Sequence, residues 1–273
     1  MGALAAVGVV LVLLIVWACV SVHDYLDPAM PDVHGISTSA EVATADRAAT
    51  TRLDDALAQV RTAVPWMTDA GRSADDLCST NDNVAFIGER RRWAPVSCMR
   101  TSAWFGAFDG SLPEELTRIN RALSRAGWTP QATPMDELFR IDQTRMATAS
   151  PSSGRPRPAY AYGSYRKGDQ LLHVEVTQLP LAPFSDHSRI APVPATAPAR
   201  PAPNEASTYH REYRSISLDS LIGRAGGENR YVLGVELDAQ YYTAPVPGAS
   251  APTAPPPDRG YACRTGSGTC VGG

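Results

Sequence analysis

The most regular pattern of apolar positions lies at the start of the chain. Ala3–Val22 holds 20 consecutive residues without Asp, Glu, Lys or Arg. As a helix this run would be about 30 Å long, which is the thickness of the hydrocarbon core of a bilayer. The residues that follow are polar enough for a water-soluble fold. The pattern therefore predicts a transmembrane anchor over residues 1–22, which enters the bilayer through residues 3–22.

Two other uses of the apolar run stay open. Cys19 would be the lipidated residue of a lipoprotein signal, although bulky Trp17 stands where a small residue is expected and suits the bilayer interface. A secretory signal would be cleaved after Ser21, but no basic residue precedes the run. Because Asp24 and Asp27 follow closely, we predict a single-pass plasma-membrane topology with the N-terminus inside and the C-terminal domain outside.

Beyond the anchor, two stretches have the spacing of amphipathic helices. Apolar residues recur along one face from about Thr44 to Val64, and Pro65 ends the pattern. The second stretch begins with the capping-box spacing of Ser111 and Glu114, and it ends at Gly127, a residue that favours a left-handed helix cap. We predict one core-packing helix over each stretch.

Alternating and continuous apolar segments predict the strands. Val96–Phe105 is apolar on both faces, which indicates a central strand. Residues 159–166 and 170–179 flank a Lys-Gly-Asp turn and form the clearest hairpin. Residues 231–241 alternate between apolar and polar, which is typical of a half-buried antiparallel strand. A short strand is expected near residues 138–141.

These elements predict an α+β fold in which an antiparallel sheet carries two amphipathic helices on one face. Residues 23–43 are expected to form a tether, and residues 44–242 the extracytoplasmic domain, with an irregular segment over residues 66–94. A proline-rich insertion is expected over residues 180–208. Residues 243–273 are rich in proline and alanine, and we predict a disordered tail there.

The cysteines indicate an oxidising compartment. Outside the anchor, the candidates for disulfides are Cys78, Cys98, Cys263 and Cys270. Four cysteines beyond a membrane segment are typical of two disulfides, and the spacing favours Cys78–Cys98 and Cys263–Cys270, although the other pairings stay open. No C-x-x-C pair is present, so we predict no zinc site. We predict no cofactor.

Charge limits the partners that the chain can bind. The net charge is −3 and the basic residues are scattered, which argues against a nucleic-acid partner. One basic run, Arg90, Arg91 and Arg92, precedes Trp93 and is a candidate surface contact for lipid phosphates or a wall polymer. The commoner explanation of such a run is a solvated edge.

The sequence contains no nucleophile elbow, P-loop, dinucleotide fingerprint or H-E-x-x-H motif. The best enzyme candidates by chemistry are Ser164 with Lys167, and His173 with Glu175. Ser164 lies in a strand of the predicted hairpin and Lys167 in its turn, while His173 and Glu175 would occupy the solvent face of the second strand. General acid–base catalysis normally needs a partly buried group with a shifted pKa. We therefore predict no catalytic residue and no metal site.

The capped SLPEELTRINRALSRAGW helix and the YRKGDQLLHVEV hairpin, behind one anchor and two cysteines, resemble the small uncharacterised envelope proteins of high-GC actinobacteria. The resemblance covers roughly residues 44–179 and implies an extracytoplasmic domain without an assigned catalytic residue. The leading hypothesis is a membrane-anchored interaction or accessory protein whose partner is another envelope protein or a wall polymer. The alternatives are a module that binds the cell wall or lipid headgroups, and an envelope hydrolase.

Overall fold

The computed structural model describes residues 29–82, 92–148, 160–179, 206–227 and 229–245. The predicted anchor, most of the proline-rich insertion and the tail beyond residue 245 lie outside these ranges. Within the ranges, no helix is both long and apolar enough to cross a bilayer.

Five helices and seven strands make up the described part of the chain. The helices are α1 (Val33–Ser37), α2 (Ala40–Ala63), α3 (Leu112–Arg125), α4 (Met135–Thr148) and α5 (Leu218–Ala225). The strands are β1 (Thr68–Ser79), β2 (Ser97–Phe108), β3 (Thr129–Pro130), β4 (Tyr160–Lys167), β5 (Gln170–Gln178), β6 (Thr208–Arg214) and β7 (Tyr231–Thr243).

All seven strands belong to one antiparallel sheet, in the spatial order β3-β4-β5-β7-β2-β1-β6. The α+β class with an antiparallel sheet is therefore confirmed. Strand β2 lies between β7 and β1, as its two apolar faces predict. The β4–β5 hairpin is also confirmed, and Gly168 takes a left-handed conformation in its turn, with φ at 60°.

Helices cover both faces of the sheet. Helices α2, α3 and α4 pack on one face, called here the helical face, through residues that include Leu53, Leu116 and Phe139. Helix α5 packs on the opposite face, where Leu221 joins Phe105 in a second, smaller cluster. The prediction of two helices on one face is therefore wrong in number. Helices α2, α3 and α4 lie on that face, and α5 lies on the other.

Strand β7 is more buried than its alternating pattern indicates. The sequence predicts a half-buried strand, yet Val232 and Leu233 point to opposite faces and both are buried. Strand β7 lies between β5 and β2 in the middle of the sheet, and the clusters on both faces include its side chains. A polar residue in such a strand is therefore not evidence of exposure to solvent.

The expected irregular segment contains strand β1. Thr68–Ser79 pairs with β2 on one side and with β6 on the other. Its sequence, TDAGRSADDLCS, has few of the β-branched and aromatic residues that favour strands. Cross-strand partners form the strand in spite of this composition, because a propensity for strand depends mainly on the neighbours that a side chain meets.

The short strand expected near residues 138–141 is instead part of helix α4. Met135 and Phe139, four residues apart, are both buried in the core of the helical face. Asp136 and Glu137 lie in the first turn of the helix, where carboxylates interact favourably with the helix dipole. The prediction of a strand is therefore wrong, because the spacing of Met135 and Phe139 is that of one face of a helix.

The expected tether is helical from Val33 onward. The carboxylate of Asp32 accepts a hydrogen bond from the backbone N–H of Gly35 and caps helix α1. Val33 and Val42 are buried in a third small cluster, beside Cys78 and Cys98. This part of the chain therefore packs against the sheet as part of the domain.

Helix α3 begins and ends where its sequence pattern predicts. The predicted capping box differs in detail, since the side chain of Ser111 makes no capping hydrogen bond. At the other end, Gly127 has φ at 88°, and the N–H of Trp128 donates to the carbonyl of Leu123. The left-handed cap at Gly127 is thus confirmed.

Candidate functional site

The predicted pairing of Cys78 with Cys98 is confirmed. The two cysteines are direct cross-strand partners on β1 and β2, a disulfide joins them, and both are fully buried. Cys263 and Cys270 lie outside the described residues, so their pairing stays a prediction. The disulfide joins strands β1 and β2 close to the residues on which helix α1 packs.

Only part of the predicted basic contact lies in the described chain. Arg90 and Arg91 are outside it, while Arg92 is exposed. Trp93 is partly buried and pairs with Asp82 in an isolated antiparallel bridge. The backbone at Asp82 and Trp93 therefore closes the base of the connection between β1 and β2.

A network of charged side chains lies between helix α2 and the sheet. Arg100 Nη1 lies 2.9 Å from Asp46 Oδ1, and Arg211 Nη1 lies 2.8 Å from Asp76 Oδ2. The hydroxyl of Tyr241 donates to Asp76 Oδ1 at 2.7 Å. Glu212 pairs with Arg100 from the edge strand β6. We call Asp46, Asp76, Arg100, Arg211, Glu212 and Tyr241 the ionic network.

Burial shifts the pKa values in the ionic network. Desolvation raises the pKa of Asp76 above its usual value, and nearby Asp46 adds to this effect. The Tyr241 hydroxyl and the guanidinium groups of Arg211 and Arg100 oppose the shift. Desolvation and the hydrogen bond to Asp76 also raise the pKa of Tyr241. Asp46 belongs to α2 and pairs with Arg100 and Arg211, which belong to the sheet. The network therefore holds α2 on the sheet.

On the opposite face of the sheet, three polar side chains occupy neighbouring positions on three strands. Ser164 of β4 is the register partner of His173 of β5, and Ser164 Oγ lies 3.1 Å from His173 Nδ1. On its other side, His173 is the register partner of Glu236 of β7. We call Ser164, His173 and Glu236 the polar row. A hydroxyl, an imidazole and a carboxylate in this order have the chemistry of a nucleophile, a base and an orienting acid.

The expected solvent face of the hairpin is exposed only in part, since Tyr162 is 46% exposed while His173 is half-buried and Glu175 is buried. Glu175 and Glu236 are only 4% and 5% exposed. Lys167, which the sequence analysis grouped with Ser164, lies elsewhere, with its Nζ donating at 2.7 Å to both the Ala126 carbonyl and Gln59 Oε1. The structure therefore separates Ser164 from Lys167 and brings it to His173.

The register of the hairpin explains why the sequence analysis missed the polar row. A three-residue turn over Lys167, Gly168 and Asp169 would place Ser164 opposite Leu172. The structure has a two-residue turn, in which Lys167 pairs with Gln170, so Ser164 faces His173. A shift of one residue moves a side chain to the other face of a sheet. The Gly-Asp dipeptide is typical of two-residue hairpin turns and could have indicated the correct register.

Two shallow grooves flank helix α3. The larger, about 850 Å³, lies between the C-terminal end of α2 and helix α3; we call it the α2–α3 groove. Its lining includes Ala63, Trp66, Arg118, Arg121, Ala122 and Arg125. The smaller, about 460 Å³, lies between α3 and α4 and is lined by residues that include Thr117, Asp136, Phe139 and Arg140. The larger volume is within the usual range of ligand sites, and it combines apolar and cationic side chains.

Among the described residues, no group of three or more His, Cys, Asp and Glu side chains is placed to hold a metal ion. Comparisons with protein-family models, with curated proteins and with solved structures find no match to this chain. The fold defines its class as an α+β domain built on an antiparallel sheet with a disulfide between β1 and β2. The function has to be argued from the geometry of the domain.

Proposed function

We propose that this chain is a single-pass membrane protein whose extracytoplasmic α+β domain is an interaction or accessory module. The observation that carries the proposal is the Cys78–Cys98 disulfide, because such bonds persist mainly in oxidising compartments. The uncharged run Ala3–Val22 would hold the domain at the plasma membrane, with the N-terminus inside.

The described surface supports binding of a macromolecule more than turnover of a small molecule. The core of the helical face is filled with side chains, and the two grooves beside α3 are shallow and open. The charged groups of the ionic network bind one another. An interaction module uses an exposed surface of this kind, with a rigid sheet behind it.

The location is tested with a reporter fused after Gly273. We expect an alkaline phosphatase reporter, which needs an oxidising compartment, to be active on the intact chain. The same fusion without residues 3–22 is the control and should be inactive. A fusion to the intact chain that is inactive as phosphatase but fluorescent as a cytoplasmic reporter would contradict the proposal.

The polar row supports a second candidate function, an envelope hydrolase. Ser164 Oγ would attack the acyl carbon of an ester while His173 accepts its proton, and His173 would pass that proton to the alcohol that leaves as the ester bond breaks. Water, activated by His173, would then hydrolyse the acyl-enzyme, and Glu236 would stabilise the imidazolium that forms in both steps. The observation that favours this candidate is the 3.1 Å contact between Ser164 Oγ and His173 Nδ1.

The two functions are separated with the full chain in detergent, a fluorophosphonate probe and a panel of ester substrates. The variants are Ser164→Ala and, as a matched control, Ser73→Ala at a buried serine on β1. The interaction proposal expects neither labelling nor turnover in any form. Turnover in the wild type that survives in Ser73→Ala and vanishes in Ser164→Ala would establish the hydrolase.

A further inference from the structure

The α2–α3 groove is lined by three arginines and one carboxylate, Glu114, so its lining carries a net positive charge. Arg118 is engaged, since it stacks on the ring of Trp66 at 3.7 Å and pairs with Glu115 at 3.4 Å. Arg121 and Arg125 are exposed and form no ion pair or side-chain hydrogen bond within the described residues. Two guanidinium groups therefore remain available on one wall of the groove.

The spacing of these two arginines matches an extended chain. Arg121 and Arg125 are one helical turn apart on α3, which corresponds to about 6 Å along the helix axis. Alternate side chains of an extended strand are separated by about 7 Å. Carboxylates at positions i and i+2 of an extended segment would each meet one guanidinium, with which a carboxylate can form two parallel hydrogen bonds.

The other walls of the groove suit the backbone and small side chains of such a segment. Ala63, Pro65 and Ala122 present apolar surface, and Trp66 is held in place by its Nε1 hydrogen bond to Glu115 Oε2 at 3.0 Å. A fixed aromatic ring beside paired arginines is a common composition for a protein-binding surface. A concave groove also fits a chain better than it fits the plane of a membrane.

The undescribed segments of the chain itself do not supply this occupant. Their carboxylate side chains are Asp24, Asp27, Glu89, Asp186, Glu205, Glu228 and Asp258. No two of these acidic residues are two positions apart. These segments therefore do not contain the required pair of carboxylates.

We propose that the α2–α3 groove docks an extended acidic segment of a partner protein, with two carboxylates at alternate positions bound by Arg121 and Arg125. This inference rests on the proposed interaction function and names the chemistry of the partner. Arg118, Trp66 and Glu115 are positioning residues, because they hold the wall against which the segment lies.

The test measures binding of a short fluorescent peptide, in which glutamate alternates with threonine, to the full chain in nanodiscs of zwitterionic lipid. We expect R121E/R125E to weaken binding by at least about tenfold, because both charge-assisted contacts become repulsive. The control R47E/R52E makes the same change in net charge on the exposed surface of α2, about 15 to 25 Å along the helix from the groove. It should leave the affinity within about twofold. An equal loss in both variants, or no binding by the wild type, would overturn the proposal.

Two further comparisons define the ligand. A peptide of the same composition with its glutamates three residues apart should bind more weakly, and equal binding would overturn the assigned spacing. Vesicles of anionic phospholipid that displace the peptide at a lower charge concentration than the unlabelled peptide itself would reassign the groove to lipid phosphate. If R121E/R125E does not fold by circular dichroism, R121Q/R125Q is used, with a smaller loss expected.

The proposed interaction function is tested separately, by chemical cross-linking of the protein to its partner in intact cells. A partner that is cross-linked equally to wild type and to R121E/R125E would preserve the interaction module and overturn the groove as its docking site. Peptide binding to the groove without any cross-linked partner in cells would preserve the docking chemistry and count against the module.

Discussion

Arg100 on the central strand β2 and Asp46 on helix α2 are 54 positions apart in the chain, and their side chains lie 2.9 Å apart beneath the helix. The Arg100 side chain is 6% exposed and that of Asp46 is 17% exposed. This contact belongs to the ionic network, which also includes Asp76 and Arg211. The helix that begins near the predicted membrane anchor is therefore joined to the middle of the sheet by charge as well as by apolar packing.

Removal of one partner from this contact should be costly. We expect Arg100→Met to lower the free energy of unfolding by about 3 kcal/mol, because it leaves Asp46 and Asp76 beneath the helix with one cation fewer. The measurement is urea unfolding followed by circular dichroism. Arg52→Ala, which removes an exposed ion pair with Asp169, is the control and should unfold like the wild type. Similar curves for both variants would show that the network does not hold α2.

The raised pKa of Asp76 predicts a specific dependence of stability on pH. Burial raises the pKa of this carboxyl in the folded state, so the folded protein binds the proton more tightly than the unfolded chain does. The stabilising contribution of protonated Asp76 is complete below its unfolded pKa, about 3.8, and is lost as the pH rises through its folded pKa. The stability of the wild type relative to Asp76→Asn should therefore fall as the pH rises across this interval.

The measurement for Asp76 is a series of urea unfolding curves for both proteins between about pH 3.5 and pH 6.5. Other carboxylates titrate in both proteins, so their contributions largely cancel in the difference. A difference that stays constant with pH, or that grows as the pH rises, would mean that the arginines outweigh burial at Asp76.

Loss of the disulfide should destabilise the domain. We expect Cys78→Ala/Cys98→Ala to lower the free energy of unfolding by about 3 kcal/mol, because the bond closes a loop with a sequence separation of 20. Cys263→Ala/Cys270→Ala is the matched control. Since these cysteines belong to the predicted disordered tail, their loss should leave the melting temperature nearly unchanged. A large decrease for the control would mean that the tail contributes to the fold.

Lys167 is expected to stabilise the C-terminal end of helix α3. Its Nζ donates to the Ala126 carbonyl at 2.7 Å and lies 5.9 Å from the centre of the Trp128 ring. Lys167→Met keeps most of the apolar stem but removes the donor and the charge, so we expect a loss of about 1 kcal/mol in the free energy of unfolding. Lys167→Arg retains a charged donor and should lose less. Equal melting temperatures for the three proteins would contradict the assigned role.

The features that sequence reasoning predicted correctly depend on residues that are close in the chain. Helix α3 follows from apolar spacing within 14 residues and from the glycine at position 127. The β4–β5 hairpin follows from two strand patterns around one turn. The Cys78–Cys98 bond was also favoured by short separation. In each of these cases the interacting residues are close in the chain, so the pattern of residue types along the sequence is enough to predict the contact.

Candidate sites were harder to predict, because each depends on register or on distant strands. The polar row needed a two-residue turn to bring Ser164 to His173, and a separate strand to add Glu236. The α2–α3 groove depends on the docking of two helices that strands β1 and β2 separate in the chain. The sequence around Arg121 and Arg125 does not distinguish them from other arginines on the exposed face of a helix.

By itself, the sequence determined the α+β class, helices α2 and α3, the hairpin and the first disulfide, because periodicity and turn chemistry act over a few residues. Only the tertiary structure decided that TDAGRSADDLCS forms a strand and that Glu175 and Glu236 are buried. It also decided that Asp46 meets Arg100. The physical reason is that burial and ion pairing are properties of neighbours in space, and the order of strands in a sheet selects those neighbours.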